Sequence, residues 1–336
     1  MHDDQNPAKI ECNVTPARHK RHEQRYERTT EMKAFFFWRL VLPGIALFAL
    51  TDSGTARAEE YSAYLMVYFG PEEKLYYAYS HDALTWTALN RGEPVWSPDF
   101  VRDPFINRVG DTFHLVHTTG WTGDTIGHWE SSDLIRWSGG EIQVVDEAKE
   151  KCWAPEFFYC EEENVFYVYW ASLYEGRHHA MHYLKTRDWK NIKPEASSLY
   201  FDVGIHNIDL TIVKHNGIYY GFHKPGGVED KMGNRLSTAT SLDPNQDSFA
   251  KNGHGKIVFH DETNPTEGPA VVQIIGQQRW YIYGDPFHAP LEAWETTDFI
   301  NYKKVVVQAP ENAKHGSMIP ITTDELDALL IEYPVD

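Results

Sequence analysis

A short phrase that keeps returning limits the folds open to this chain more than any other feature. Ser80-His81-Asp82-Ala83-Leu84-Thr85-Trp86 recurs as Ser131-Ser132-Asp133-Leu134-Ile135-Arg136-Trp137, and in degraded form as Thr186-Arg187-Asp188-Trp189 and Thr296-Thr297-Asp298-Phe299. The aspartates at 82, 133, 188 and 298 lie 51, 55 and 110 residues apart, and an altered copy, Ser237 to Asp243, falls in the double gap. Self-similarity at a fixed period marks a repeat architecture. Inside each unit the periodicity is that of strands: Thr112–His117, Val165–Trp170, Ile218–Phe222 behind the Asn216-Gly217 turn signal, and Arg279–Tyr283. Four short strands in about 50 residues make a propeller blade. The reading is all-β: a five-bladed β-propeller over residues 59–336. A solenoid of the same units would want polar capping repeats, and none is visible.

The first strand of each blade lines the central channel of a propeller, and here each such strand carries a polar interruption. Strands disfavour carboxylates, Gly and Pro together, yet Val101–Ile106 holds Asp103, Trp153–Phe157 holds Glu156, Asn207–Ile212 holds Asp209, Thr266–Pro269 holds Glu267, and Lys314–Ser317 holds His315. These five residues follow one another at steps of 53, 53, 58 and 48. The repeat therefore predicts that they meet at one end of one axis. Neighbouring Arg102 gives Asp103 no assured help, because alternate strand residues face opposite sides. The unit from Tyr61 to Trp96 has no such interruption, and His315–Ile321 has no strands after it, so the C-terminal strand is expected to complete the N-terminal blade and close the ring. A short helix should follow, since Thr322 and Glu325 form a capping box ahead of Leu326, Leu329 and Leu330.

Crowded carboxylates perturb one another: burial and like charge raise one pKa, while a cation or hydrogen bonds keep another group ionised. Glycosidic cleavage needs that split, with a protonated acid at the leaving oxygen and an ionised carboxylate near the anomeric carbon. The strands Arg102-Asp103-Pro104-Phe105-Ile106, Trp153-Ala154-Pro155-Glu156-Phe157, Ile208-Asp209-Leu210-Thr211-Ile212 and Thr266-Glu267-Gly268-Pro269-Ala270, with the repeated Ser-x-Asp-Leu-x-x-Trp phrase, resemble glycoside hydrolase family 43. The resemblance covers essentially all of 61–322. It implies a five-bladed propeller that releases arabinofuranosyl, xylosyl or galactosyl units by inversion. Residue by residue, Asp103 matches the general base, Glu267 the general acid, and Asp209 the aspartate that tunes the acid and orients the substrate. Trp121 matches an aromatic wall for the sugar, and Trp153 and Glu156 are expected to line or brace the pocket. His315 matches a histidine that in some relatives contacts a central calcium through water; the reaction itself requires no cofactor. Leu210 stands where family members usually carry Pro, and the N-terminal blade closed from the C-terminus is permuted relative to many of them.

The remaining signals bound the setting. Residues 1–58 read as a leader: from Met32, a basic stretch precedes an apolar run, Leu40 to Leu50, and then Thr55-Ala56-Arg57-Ala58, the order of a secretory signal peptide with cleavage near Ala58. Eleven apolar residues are too few to span a bilayer, which needs about 20. Residues 1–31 read as an upstream extension. A formal net charge of −18 argues against nucleic acid and anionic membranes as partners. The expected product is a secreted or periplasmic monomer with a carbohydrate substrate and no integral membrane segment in the mature chain. Cys152 and Cys160, eight residues apart on an extended strand, would lie about 26 Å apart and are not expected to form a disulfide. His178, His179 and His182 read as surface residues, with adjacent histidines on opposite strand faces. Two other functions fit the fold: a propeller that binds glycans without cleaving them, and a retaining fructan-type hydrolase, which would normally show an Asn-Asp-Pro-Asn strand and a Glu-Cys acid that are absent here.

Overall fold

Every described strand belongs to one of five four-stranded antiparallel sheets. The computed structural model describes residues 60–96, 98–146, 151–226, 234–252, 255–257, 265–286 and 288–336; the leader, with its Met32 start and Ala58 cleavage site, lies outside them. Blade 1 contains β1 (Tyr61–Phe69), β2 (Leu75–Ser80) and β3 (Thr87–Ala88). Blade 2 runs β4 (Arg102–Val109), β5 (Thr112–Thr118), β6 (Thr125–Ser131) and β7 (Ser138–Gln143). Blade 3 runs β8 (Trp153–Cys160), β9 (Val165–Tyr174), β10 (His178–Thr186) and β11 (Ser198–Phe201). Blade 4 runs β12 (Asn207–His215), β13 (Ile218–Pro225), β14 (Arg235–Ala239) and β15 (Lys256–Ile257), with a one-turn helix α1 (Phe249–Asn252) before its last strand. Blade 5 runs β16 (Glu267–Gln273), β17 (Trp280–Asp285), β18 (Glu292–Thr296) and β19 (Lys303–Val305).

The last strand, β20 (Gly316–Thr322), returns to blade 1 and pairs antiparallel with β1, from Tyr68 opposite Gly316 to Tyr61 opposite Thr322. The ring closes as the repeat predicted. Space dictates the residue at the start of this seam: a Cβ on Gly316 would lie 2.0 Å from the Val67 carbonyl oxygen. The strands β20, β4, β8, β12 and β16 touch one another in sequence around the ring and form its inner wall. Helix α2 (Thr323–Glu332) follows β20 with the expected capping box: Thr322 Oγ1 accepts from Glu325 N, and Glu325 Oε2 accepts from Thr322 N. Among the described residues no helix is long and apolar enough to cross a membrane.

Blade packing explains why the strands read as nearly unbroken apolar runs. Ala63, Leu65 and Val67 of β1 face blade 2, with Ile106, Phe113 and Leu115. Tyr64, Met66 and Tyr68 face the other way, into blade 5, with Ala270, Val272 and Tyr283. Successive residues point to opposite faces, and both faces are buried against a neighbour. Three further cores fill the seams between blades 2 and 3, 3 and 4, and 4 and 5.

The repeated phrase turns out to be a fastener between blades. In the turns after the third strands of blades 1, 2 and 5, the aspartate accepts hydrogen bonds from backbone two and three residues on: Asp82 from Leu84 N and Thr85 N, Asp133 from Ile135 N and Arg136 N, Asp298 from Ile300 N and Asn301 N. The tryptophan that follows reaches the adjacent blade. Trp86 Nε1 donates to Tyr283 OH at 2.9 Å, and Trp137 Nε1 to Tyr77 OH at 3.1 Å. Cys152 and Cys160 are buried and free, as expected.

Candidate active site

The sequence places four acids at even spacing on the inner strands, but the structure does not put them at equivalent positions. The first strands of blades 2 to 5 each contain a β-bulge, where the register with the second strand shifts between Arg102 and Phe105, Trp153 and Glu156, Ile208 and Thr211, and Glu267 and Ala270. One residue in each bulge has a left-handed backbone: Asp103 (φ 49), Ala154 (φ 44), Asp209 (φ 58) and Gly268 (φ 55). Measured from that residue, Asp103 and Asp209 occupy the bulge itself, Glu267 precedes it by one, and Glu156 follows it by two. A bulge re-aims side chains and abolishes strict alternation. For this reason Arg102 and Asp103, adjacent in the chain, both line the cavity, and the Arg102 charge does act on Asp103.

The cavity at this end of the channel has a volume of about 490 Å³. Of the five inner-strand residues, Asp103, Asp209, Glu267 and His315 line it, and so do Trp121 and Trp153. Glu156 is not among its lining residues. It is 5 % exposed and accepts a hydrogen bond from Tyr169 OH at 3.2 Å, on the protein side of the wall. Glu156 therefore braces the site and offers no surface to a ligand in the cavity.

Thr118, Asp103, Asp209 and Asp285 at the mouth are each held from an adjacent blade. Thr118, at the end of β5, accepts from Ala154 N at 2.8 Å and donates to Asp103 Oδ2 at 2.9 Å. His315 Nδ1 lies 3.3 Å from Asp103 Oδ1. Asp209 Oδ2 accepts from Gly268 N at 2.9 Å, so the residue after Glu267 anchors the aspartate of the preceding blade. Asp285 stands opposite Glu267 across the β16–β17 ladder and accepts from His315 N at 3.0 Å. Its other oxygen lies 3.4 Å from Lys314 Nζ.

These contacts separate the acids electrostatically. Burial pushes the Asp103 carboxyl up, but the His315 hydrogen bond and charge, then Arg102 and Thr118, outweigh it and leave Asp103 below its ordinary range. Burial raises Glu267 to about 8, assisted by the negative charges of Asp209 and Asp285. Burial likewise raises Asp209, against the pull of His315 and with a push from Asp103. Glu156 rises to about 8 through burial. His315 resists its own burial because Asp103, Asp209 and Glu156 surround it, and it holds its proton up to about 10. The imidazolium is thus the counter-ion that keeps Asp103 charged.

The aromatic wall is built from two tryptophans at right angles. Trp121, 53 % exposed, meets Trp153 with ring centres 6.0 Å apart and planes at 85°. Arg102 lies over the Trp121 ring at 4.3 Å and over Phe69 at 4.4 Å, and pairs with Glu73 at 3.3 Å. Trp153 stacks on His179, which meets His206 of the cavity lining at 2.9 Å. This corrects the reading of the histidine group as surface residues: His179 is 4 % exposed, while His178, on the opposite strand face, pairs with Asp202 at 2.8 Å. Sequence reasoning missed Thr118, Asp285 and His206. Thr118 and Asp285 sit at the ends of second strands opposite the polar residues of the first, and scanning those ends in the repeat would have found them.

Residues 59–327 match the model of a family related to glycoside hydrolase family 43, described as "Probable glycosyl hydrolase domain". An alpha-L-arabinofuranosidase of Bifidobacterium longum subsp. longum is 25 % identical over a match covering 48 % of this chain and 19 % of that protein, so the matched part is about a fifth of the relative's length. Among solved structures, the catalytic domain of a GH62 alpha-L-arabinofuranosidase from Coprinopsis cinerea superposes with a TM-score of 0.47 at 14 % identity, covering 64 % of this chain and 70 % of that one. An exo-beta-1,3-galactanase from Phanerochaete chrysosporium, solved with galactose, gives 0.48 at 12 % identity, covering 61 % and 50 %. By the family match over most of its length, the chain belongs to the glycosyl hydrolases related to glycoside hydrolase family 43.

Proposed function

We propose that the protein is an exported, monomeric, inverting exo-glycosidase that releases arabinofuranosyl, xylosyl or galactosyl units from polysaccharides or oligosaccharides. One observation carries the mechanism. Asp103 and Glu267 line the same cavity, and their surroundings drive them to opposite protonation states, Asp103 lowered and Glu267 raised to about 8. At neutral pH the first is the base and the second the acid. A water between Asp103 and the anomeric carbon gives its proton to the Asp103 carboxylate as its oxygen bonds to carbon. The glycosidic bond breaks on the opposite face, and its oxygen takes the Glu267 proton. Asp209 raises Glu267 through its charge and is itself fixed by Gly268 N. The Trp121 and Trp153 faces offer the sugar ring an apolar wall.

His315 is a positioning residue in this scheme, since it acts through the charge of Asp103. A central calcium, as the resemblance implies, would stand among the same carboxylates as His315 and would supply, through water, part of the charge compensation that the imidazolium gives Asp103 here. Proton NMR of the first-formed product, from whichever of the p-nitrophenyl arabinofuranoside, xyloside, galactoside or galactofuranoside is cleaved, tests the reading. An inverted anomer is expected. A retained anomer would remove Asp103 from the role of base, and turnover of none of these sugars would favour a glycan-binding propeller. For export, expression from Met32 should give a product outside the cytoplasm beginning near Glu59.

A further inference from the structure

Blade 2 departs from its own repeat in one place that the architecture does not require. Ser80 of blade 1 and Ser131 of blade 2 occupy the same point of the repeated phrase, which aligns Tyr77 with His128 and Tyr79 with Glu130. Leu65 pairs with Tyr79 in blade 1, and His114 pairs with Glu130 in blade 2. Three positions that are Leu, Tyr and Tyr in one blade are therefore His, His and Glu in the next. Strand geometry puts the three on one face, because His128 and Glu130 are two apart and His114 lies directly opposite Glu130.

The donor atoms converge. His114 Nδ1 lies 3.1 Å from His128 Nε2 and 3.7 Å from Glu130 Oε1, and all three ligand atoms fall within 4.8 Å of one another. Tetrahedral ligands at zinc–nitrogen distances of 2.0–2.1 Å stand roughly 3.3–3.4 Å apart, so the observed spacings bracket that geometry. The rings are held in place: Trp189 of the next blade lies parallel to His128, with centres 3.8 Å apart and planes at 6°, and Phe157 and Phe166 flank His114. Both histidines are buried, at 6 % and 4 % exposure. His128 and Glu130 also line a surface cavity of about 730 Å³, bounded by Gly139, Gly140 and Lys190, that gives an ion a way in and leaves room for a water as fourth ligand.

We propose that His114, His128 and Glu130 form a divalent transition-metal site, separate from the glycosidase cavity, and that its chemistry favours zinc. Two imidazole nitrogens and one carboxylate are a donor set for zinc, whereas calcium and magnesium prefer all-oxygen shells. When the ion enters, the ring that donates the His114–His128 hydrogen bond changes tautomer, its proton moving to its other nitrogen by exchange with solvent. Both facing lone pairs then bind metal.

Calorimetric titration of the untagged, chelator-stripped full chain with zinc chloride tests this. Saturable uptake of about one ion per chain is expected, with a rise in melting temperature. Replacing the half-exposed Glu130 (Glu130→Gln) should weaken binding at least tenfold without altering hydrolysis, and His128→Gln should remove the saturable phase. Asp103→Asn should leave zinc affinity unchanged. Cobalt added in place of zinc should give the visible absorption of a tetrahedral nitrogen–oxygen site in the wild type and lose it in Glu130→Gln. No saturable uptake by the wild type would overturn the proposal, leaving a hydrogen-bonded histidine pair. Binding that survives both blade 2 variants, or that disappears in Asp103→Asn, would overturn it too.

Discussion

At the rim of the propeller, Asp133 sits in a turn that closes on itself: Ile135 N, Arg136 N and Ser131 Oγ all donate to Oδ1. At the channel mouth, Asp209 takes its backbone hydrogen bond from Gly268, 59 residues away, and Asp103 takes its partners from Thr118 and from His315 of another blade. Both sets recur at nearly the same period, yet at the mouth Asp103 alone of the four acids stays below its ordinary range, while Asp209, Glu267 and Glu156 rise. Backbone donors, led by Arg136 N, overcome partial burial and bring Asp133 down to about 2; Asp298, held first by Asn301 N, also falls to about 2. The mouth acids Glu267 and Glu156 rise to about 8. A repeated aspartate is thus no sign of function by itself. What separates the two sets is whether the hydrogen bonds of the carboxylate close within its own loop or depend on the assembled ring.

The sharpest way to break this contrast is to neutralise one acid from each set. Asp103→Asn should lower turnover of every substrate by roughly 10³-fold, with a lower melting temperature as the buried His315 loses its counter-charge. Glu267→Gln should cost about as much on natural glycosides and far less on p-nitrophenyl substrates, whose leaving groups need little protonation. Equal losses on both substrate types would show that Glu267 is not the acid.

Next in size is Gly268→Ala. Its Cβ would lie 2.5 Å from His315 Cγ, at a φ of +55 that disfavours any side chain. A destabilisation of roughly 2–4 kcal/mol is expected, together with loss of activity, as His315 is pushed off Asp103. Denaturant melts and rates measured on the same sample check both. An unchanged melt would show that the bulge is more adaptable than its contacts suggest.

The pH response sharpens the comparison. Rim aspartates with lowered pKa values stabilise the fold above their ordinary range, and that contribution is lost as pH falls toward about 2. Glu267 and Glu156 act with the opposite sign: raised carboxyls favour the fold while protonated, and that contribution is lost as pH rises from about 4.5 through about 8. His315 adds stability that is complete below the ordinary histidine value and is lost as pH rises through about 10. Activity should therefore fall on the alkaline side near pH 8, as Glu267 loses its proton, and on the acid side only below the ordinary aspartate range. His315→Gln should move the acid limb upward, a shift that a purely structural histidine would not produce.

The smallest effect belongs to the rim. Asp133→Ala should cost about 1–2 kcal/mol of stability and leave kcat and KM untouched. A loss of activity there would erase the distinction between the two sets.

Much of this was legible in the chain. The period of the Ser-x-Asp phrase counted the blades, and the absence of an interrupted strand in the unit from Tyr61 to Trp96 pointed to the C-terminal strand as the closing one. Asp103, Asp209, Glu267 and His315 were found because inner strands seldom tolerate such groups. The bulges were not legible. Pro104, Pro155 and Pro269 follow the left-handed residues, but Leu210 follows Asp209, so no common residue signal marks the extra position. Even spacing therefore suggested equivalent positions that the backbone does not provide, and the spacing alone left open whether Glu156 lines the pocket or, as the structure has it, braces it from behind. Asp285 escaped notice because its importance comes from standing opposite Glu267, a relation between strands.

The seam in blade 1 also imposes an order of events. The strand β1 emerges early in synthesis, and its partner β20 emerges after every other strand of the ring. His315 lies one residue before β20 and comes with it. Until then Asp103, Asp209 and Glu267 of the pocket, and Glu156 behind its wall, lack the His315 imidazolium. The final strand supplies the missing edge and the missing positive charge in one movement, so geometric closure and charge balance are reached together. A nascent chain therefore has no pocket with the electrostatics described here until translation has passed His315, and the same tether makes the pocket a sensitive gauge of whether the ring is shut.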